Sequence, residues 1–330
     1  MKVYLFSVAP VEEPFVKEWQ DQHPDDEISY THSPLTASNL ELAKGFEAVS
    51  TQQAEALKDA ELKALAAGGV KHLALRKVGS DNVDLAAARK YGIVVSNVPA
   101  YSPRAIAENG LTGAMYLLRK WGYYHRKMRR GDFTRPTELM SDEIFNQTVG
   151  IVGLGRIGAA AAEMYHALGA RVIGYDPFYN ASLEPFLDFV DFDTLIKESD
   201  IIQLHIPLTP ENKGMFGTNE FAKMKDDAIL VNQSRGELVD TEALIVALKY
   251  HEIGGAALDV LEGEEKIFGR KFEDVGSLPD EYTELINMPN VVMSPHSAYY
   301  TKMAVKNMFF QSMTDTQRTV SGQQAFFKVN

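Results

Sequence analysis

Residues 149–176, VGIVGLGRIGAAAAEMYHALGARVIGYD, decide the fold. Val149 to Val152 is a short apolar, β-branched run, the composition of a strand buried on both faces. Gly153, Gly155 and Gly158 follow at the G-x-G-x-x-G spacing. Ile157, Ala161, Met164 and Leu168 then recur at helical intervals, which predicts a strand turning directly into a helix. Arg171 to Tyr175 reads as a second strand that ends at Asp176. Gly153 permits a tight turn, Gly155 lets backbone approach a pyrophosphate, and Gly158 lets helix and strand pack closely. The N–H groups that open the helix face the phosphates, and Asp176 can accept from a ribose hydroxyl. That carboxylate would repel a 2′-phosphate, and Pro177, Phe178 and Tyr179 offer no cation. NAD is therefore expected rather than NADP.

The 330 residues are 45% hydrophobic and 24% charged, which suits about two globular domains. The net charge of −12 argues against a nucleic-acid or anionic-membrane partner. One basic run, Arg126-Lys127-Met128-Arg129-Arg130, ends a helical stretch and suits a helix C-terminus. No cysteine is present, which excludes disulfides, thiolate metal sites and cysteine nucleophiles, and fits a reducing cytoplasm. No metal site is expected. The start, MKVYLFSVAPVEEPF, reads as a first strand rather than a signal peptide. No stretch approaches the roughly 18 apolar residues of a membrane span.

Strand-like and helix-like segments alternate throughout, so parallel sheets are expected. Val3–Val8, Ala48–Ser50, His72–Leu75 and Ile93–Ser96 read as strands, with a helix near Glu12–Gln20. Residues 1–100 could form a small α/β domain by themselves. Asn97-Val98-Pro99-Ala100-Tyr101-Ser102-Pro103 breaks the pattern, and Ser102-Pro103 can open a helix. Ala107, Leu111, Ala114 and Leu118 make one stripe of a helix expected to run to about Met128. Beyond Asp176, strands are expected at Phe189–Asp191, Ile201–His205, Ala228–Asn232, Gly255–Leu258 and Val291–Met293. A last helix is expected near Tyr300–Val320. The acidic stretch 263–286 is expected to be a long loop.

Three segments place an ionisable residue at the end of a strand, where open α/β sheets build their sites. Arg235 follows the run Ala228–Val231, and its planar fork suits a carboxylate or carbonyl oxygen. Asp259 ends a strand and Glu264 lies five residues on; either could hold a histidine. His296 leaves a strand behind Pro295, and an imidazole can donate a proton near neutral pH. An Arg and a His–carboxylate pair beside a nicotinamide would reduce a 2-oxo acid to a 2-hydroxy acid.

With these residues the chain resembles the D-isomer-specific 2-hydroxyacid dehydrogenase family over nearly its whole length. The segments that carry the resemblance are Leu75–Asp84, Asn97–Pro103, Gly153–Gly158, Asn232–Asp240, Leu258–Glu264 and Ser294–His296. Within the family it is most similar to the D-lactate and D-2-hydroxyisocaproate dehydrogenases. The resemblance implies a Rossmann-type doubly wound parallel sheet (101–299) inserted into a flavodoxin-like catalytic domain (1–100 plus 300–330). It implies a homodimer built on the NAD domain. It implies Arg235, Glu264 and His296 as the catalytic group, supported by Asp259. Backbone N–H groups of Val78 and Gly79 would hold the substrate carboxylate, with Tyr101 beside it and Thr51, Tyr299 and Met308 around its side chain. Arg156, Ile157, His205, Pro207, Asn212, Ser234 and Asp259 would join Gly153, Gly155, Gly158 and Asp176 in binding NAD.

Two positions depart from the family. Lys77 stands where many relatives carry Asn. Thr51 stands where the lactate enzymes carry Tyr and the isocaproate enzyme Leu. The smaller Thr predicts tolerance of bulky 2-oxo acids such as 2-oxoisocaproate or phenylpyruvate beside pyruvate. The alternatives are an NAD-sensing corepressor of the same fold, or a formate, glycerate or phosphoglycerate dehydrogenase. The intact Arg235, Glu264 and His296 set argues against a corepressor. A phosphorylated substrate would want more cations than Arg76 and Lys77.

Overall fold

The computed structural model describes residues 1–53 and 55–330. The chain divides into two compact units, Met1–Ser102 with Tyr300–Asn330, and Pro103–Tyr299. In chain order the first part of unit 1 comprises β1 (Lys2–Leu5), α1 (Glu13–Gln22), β2 (Glu27–Tyr30), β3 (Ala48–Thr51), α2 (Asp59–Ala67), β4 (His72–Leu75), α3 (Leu85–Lys90) and β5 (Val94–Ser96). Unit 2 comprises α4 (Pro103–Leu118), α5 (Trp121–Arg129), β6 (Thr148–Val152), α6 (Arg156–Ala167), β7 (Arg171–Tyr175), β8 (Asp188–Phe189), α7 (Phe192–Glu198), β9 (Ile201–Leu204), α8 (Thr218–Phe221), β10 (Ile229–Asn232), α9 (Thr241–Lys249), β11 (Gly255–Leu258), α10 (Asp280–Asn287) and β12 (Val291–Met293). The chain then returns to unit 1 as α11 (Lys302–Val320).

Unit 1 is built on a five-stranded sheet, β2-β1-β3-β4-β5, parallel throughout. That is the flavodoxin-like order. Its central strands β3 and β4 are buried along their whole length, with Ser50, Thr51 and His72 enclosed among the apolar side chains. On one face Leu57, Leu62 and Leu65 pack with Phe6, Val49, Leu73 and Val95. On the other, Val16 and Trp19 of α1 and Phe309 and Met313 of α11 cover Val3, Leu5 and Ala48. Burying a Phe or Met side chain contributes about 1.5–3 kcal/mol. The returning helix is therefore part of the core of unit 1.

Unit 2 is a seven-stranded parallel sheet in the order β12-β11-β10-β9-β6-β7-β8. Chain order reverses between β6 and β9, the point where doubly wound sheets leave a crevice at the strands' carboxyl ends. Two apolar clusters sandwich the sheet, one through Phe216, Phe221, Leu244 and Leu248, the other through Ala114, Leu118, Ala161 and Tyr165.

The structure corrects three expectations from sequence. The helix expected to run unbroken to Met128 stops at Leu118 and restarts at Trp121. Between them Lys120 adopts a left-handed conformation (φ 51°) and its Nζ donates to the Glu138 carbonyl. The stretch 263–286 is not all loop: it holds a 3-10 turn at Glu264–Lys266 and most of α10, which buries Tyr282 and Leu285. Strand β2 was not anticipated.

Candidate active site

In unit 2 the glycine turn lies between β6 and α6. A Cβ on Gly158 would sit 1.9 Å from the Gly153 carbonyl oxygen, so only glycine permits this contact of helix and strand. At Gly155 an added Cβ would meet nothing within 4 Å. Gly155 is also the N-cap of α6, and no side chain caps the helix. A helix start with open space at Gly155 and no side-chain cap fits a pyrophosphate. Arg156 and Ile157 form the first turn of that helix. Asp176 follows β7, its carboxylate accepting from Leu154 N (2.7 Å) and Phe178 N (2.8 Å). The acid expected to meet a ribose thus also braces the glycine turn.

The next strand end supplies His205 and Pro207. Both ring nitrogens of His205 are buried without a protein partner among the described residues, and burial pushes its pKa down to about 3. The ring is therefore neutral. Asn212 closes its own turn, accepting from Thr209 N (2.7 Å) and donating to the Pro207 carbonyl (2.8 Å). Ser234 Oγ donates to the Ile206 carbonyl (2.8 Å), tying the loop after β10 to the loop after β9. The buried, unpartnered ring nitrogens of His205 suit a polar group of a bound dinucleotide, while Asn212 and Ser234 shape the loops after β9 and β10.

The three ionisable candidates follow the adjacent strands β10, β11 and β12. His296 Nδ1 lies 2.5 Å from Glu264 Oε1. Glu264's other oxygen accepts from Leu261 N (3.0 Å), so the carboxylate is fixed at both ends. Asp259 fixes the histidine's backbone instead of its ring. Its carboxylate accepts from Ser294 Oγ (2.5 Å), Ser297 N (2.8 Å) and Ala298 N (3.0 Å), and its carbonyl accepts from His296 N (2.8 Å). This cage holds His296 at φ 50°, a left-handed conformation uncommon for a side chain-bearing residue. Of the two acids that could hold the histidine, Glu264 holds the ring and Asp259 aims it.

Arg235 sits on a turn pinned by Asn232, whose amide donates to the Arg235 carbonyl (2.8 Å) and accepts from Ser234 N (3.0 Å). Its side chain is exposed, with Nη1 on the Ser234 carbonyl (2.7 Å). Gly236 presses against the Leu261–Glu262 backbone: a Cβ there would lie 2.1 Å from the Leu261 carbonyl carbon. The arginine turn and the loop bearing Glu264 are thus packed backbone to backbone. The His296 pKa is raised, first by its hydrogen bond to Glu264; desolvation and the Arg235 charge oppose this. Burial raises the Asp259 pKa, against the hydrogen bond from Ser294.

This fixes a testable sign. An imidazole that gives a proton works below its pKa, so a reaction that draws its proton from His296 is expected to fall as pH rises through the raised value. Replacing Glu264 by Gln removes the main cause of the shift, and the falling limb of kcat/KM should move to lower pH. A pH profile of NADH oxidation checks this, and an unmoved limb would sink the Glu264–His296 assignment.

The remaining expected substrate residues, apart from Tyr299 of unit 2, belong to unit 1. Thr51 ends β3, fully enclosed, its hydroxyl donating to Gln53 Oε1 (3.3 Å). Met308 is buried on α11, and the Tyr101 carbonyl accepts from Asn307 Nδ2 (2.7 Å). Val78 and Gly79 lie in the loop after β4, and neither N–H has an acceptor among the described residues. A trans peptide places C=O and N–H on opposite edges. The Lys77 carbonyl is held by Val98 N (3.0 Å) and the Val78 carbonyl by Asn97 Nδ2 (2.5 Å). Both anchors therefore turn the Val78 and Gly79 N–H groups the other way, as a pair of donors. Lys77 Nζ donates to the Gln53 carbonyl (2.6 Å) and Asn82 Oδ1 (3.0 Å), bracing the same loop. Sequence reading assigned no role to Asn97, Asn82, Asn232 or Ser294. Only Gly236, directly after a candidate arginine, carried a sequence signal of close approach.

Sheet order, glycine turn and strand-end ionisable residues define unit 2 as the dinucleotide-binding part of an α/β oxidoreductase. The family described as D-isomer specific 2-hydroxyacid dehydrogenase, NAD binding domain, matches residues 111–298. The D-lactate dehydrogenase of Lactiplantibacillus plantarum is 40% identical over 326 residues, 98% of each chain. A solved structure of D-lactate dehydrogenase with NAD+ from Lactobacillus jensenii covers 100% of both chains at 44% identity, with a TM-score of 0.94. That of D-2-hydroxyisocaproate dehydrogenase covers 100% of this chain and 99% of its own at 35% identity, with a TM-score of 0.92. The chain belongs to the D-isomer-specific 2-hydroxyacid dehydrogenase family and is an NAD-dependent oxidoreductase of that class. No helix among the described residues is long and apolar enough to cross a membrane.

Proposed function

We infer that the protein reduces pyruvate and bulkier 2-oxo acids to D-2-hydroxy acids, with His296 as the proton donor. One observation carries this reading: the 2.5 Å contact of His296 Nδ1 with Glu264, on a turn aimed by Asp259. With Nδ1 so engaged, Nε2 is the nitrogen left to protonate a carbonyl oxygen. The family resemblance assigns Arg235 to the substrate carboxylate and its carbonyl, and the Val78 and Gly79 N–H groups to the carboxylate. The bound nicotinamide supplies the hydride equivalent.

Breadth for side chains rests on Thr51, read against the Tyr of the lactate enzymes that the chain resembles. Replacing Thr51 by Tyr is expected to lower the phenylpyruvate-to-pyruvate ratio of kcat/KM by about 10- to 100-fold, the range a pocket gains from steric discrimination. NADH absorbance with a panel of 2-oxo acids measures it. A wild-type enzyme with a marked preference for pyruvate would remove the proposed breadth and leave the reaction class standing.

A further inference from the structure

The loop that presents Val78 and Gly79 begins at a buried ion pair that the reaction does not use. Arg76 is 1% exposed and Glu12 likewise 1%. Every guanidinium nitrogen is engaged. Nε donates to Glu12 Oε1 (2.9 Å), Nη1 to Ser50 Oγ (3.1 Å), and Nη2 to the carbonyls of Phe6 (2.8 Å) and Ser7 (3.1 Å). Glu12 Oε2 also accepts from Ala9 N (2.9 Å), and Ser50 Oγ lies 2.8 Å from Ser312 Oγ of α11. The Arg76 backbone continues β4, its N–H donating to the Thr51 carbonyl (2.8 Å). One side chain thus joins the carboxyl end of β1, the start of α1, β3 and, through Ser50, α11 to a point two residues before Val78.

Stability alone does not account for this arrangement. Desolvating two buried ions offsets most of their attraction, and apolar side chains of similar volume often serve as well or better. Apolar side chains cannot supply a rigid fork whose directions fix the backbone that carries it. We propose that Arg76 is a positioning residue for recognition of the substrate carboxylate, with Glu12 and Ser50 as its anchors. It touches no substrate. It sets where the loop leaves β4, while the Asn97 and Val98 contacts set the loop's orientation. Both are needed because hydrogen bonds lose strength steeply with misalignment and small displacements cost rate heavily. The proposal rests on the reading that Val78 and Gly79 bind the carboxylate.

The test is the double variant Glu12→Met/Arg76→Met, compared with Gly79→Pro, which deletes one of the two donor N–H groups. The double variant is expected to keep or raise Tm, to leave the NADH Kd unchanged, and to raise KM for pyruvate about tenfold or more with a smaller change in kcat. A merely structural pair would leave KM unmoved once Tm is recovered, and that result overturns the proposal. If the double variant does not fold, Ser50→Ala carries the test, with a several-fold rise in KM expected and an unchanged KM overturning it. Gly79→Pro separates the two levels. If it raises KM while the other variants do not, Arg76 is only structural and the carboxylate reading survives. If it leaves KM unchanged, the carboxylate reading falls and the Arg76 proposal with it.

Discussion

Replacing His296 by Asn is expected to lower 2-oxo acid turnover by about 10²- to 10⁴-fold, the contribution of a placed general acid, with NADH binding intact. Asn is the instructive choice because residue 296 sits at φ 50°, and Asn tolerates the left-handed region better than Ala. The turn itself is held by Asp259 through Ser294, Ser297 and Ala298, none of which involves the imidazole. The nucleotide turn of β6 and α6 is built from other residues. The loss should therefore appear in kcat and leave the NADH Kd unchanged. Steady-state kinetics with NADH titration by fluorescence measures both. A loss below tenfold would show that the proton comes from elsewhere.

Arg235→Lys is expected to cost about 10²- to 10³-fold in kcat/KM despite keeping the charge. Lysine presents a point charge where a carboxylate and a carbonyl oxygen need a planar fork, and loss of one placed donor at a developing oxyanion costs this much. The fold should be unaffected. The turn is pinned by the Asn232 amide, and the guanidinium is exposed, with Nη1 donating to the neighbouring Ser234 carbonyl. The contrast with buried Arg76 is instructive: one arginine reaches outward from a turn that stands without it, while the other binds four segments together. Tm equal to the wild type together with a kcat/KM loss isolates the chemistry, and an unimpaired Lys variant would sink the assigned role.

The sequence was most legible where burial on both faces writes a continuous apolar run. Ile229-Leu230-Val231 of β10 and Ala256-Ala257-Leu258 of β11 were readable for that reason, and the residues just beyond β10, β11 and β12 became site candidates by position. Edge strand β2 was unreadable because Glu27-Ile28-Ser29-Tyr30 buries no residue fully and its two half-buried residues, Ile28 and Ser29, lie on opposite faces, so no alternation is written. The break at Lys120 was hidden because Arg119 and Lys120 suit a helix interior as well as a helix end; the Glu138 carbonyl that holds Lys120 lies 18 residues on. The donor pair at Val78 and Gly79 came from resemblance, but what aims it could not be read locally. Val98 and Asn97 reach it from about 20 residues away, and side-chain hydrogen bonding over such distances leaves no periodic trace.

The return of the chain as α11 has a consequence for biosynthesis. Everything unit 2 needs is contiguous, so it can mature as soon as Tyr299 has emerged. One face of the unit 1 sheet, with Val3, Leu5 and Ala48, must wait through all of that for Phe309 and Met313. Nascent chains therefore carry a half-clothed, sticky surface until α11 emerges, in the first domain made rather than in the larger one.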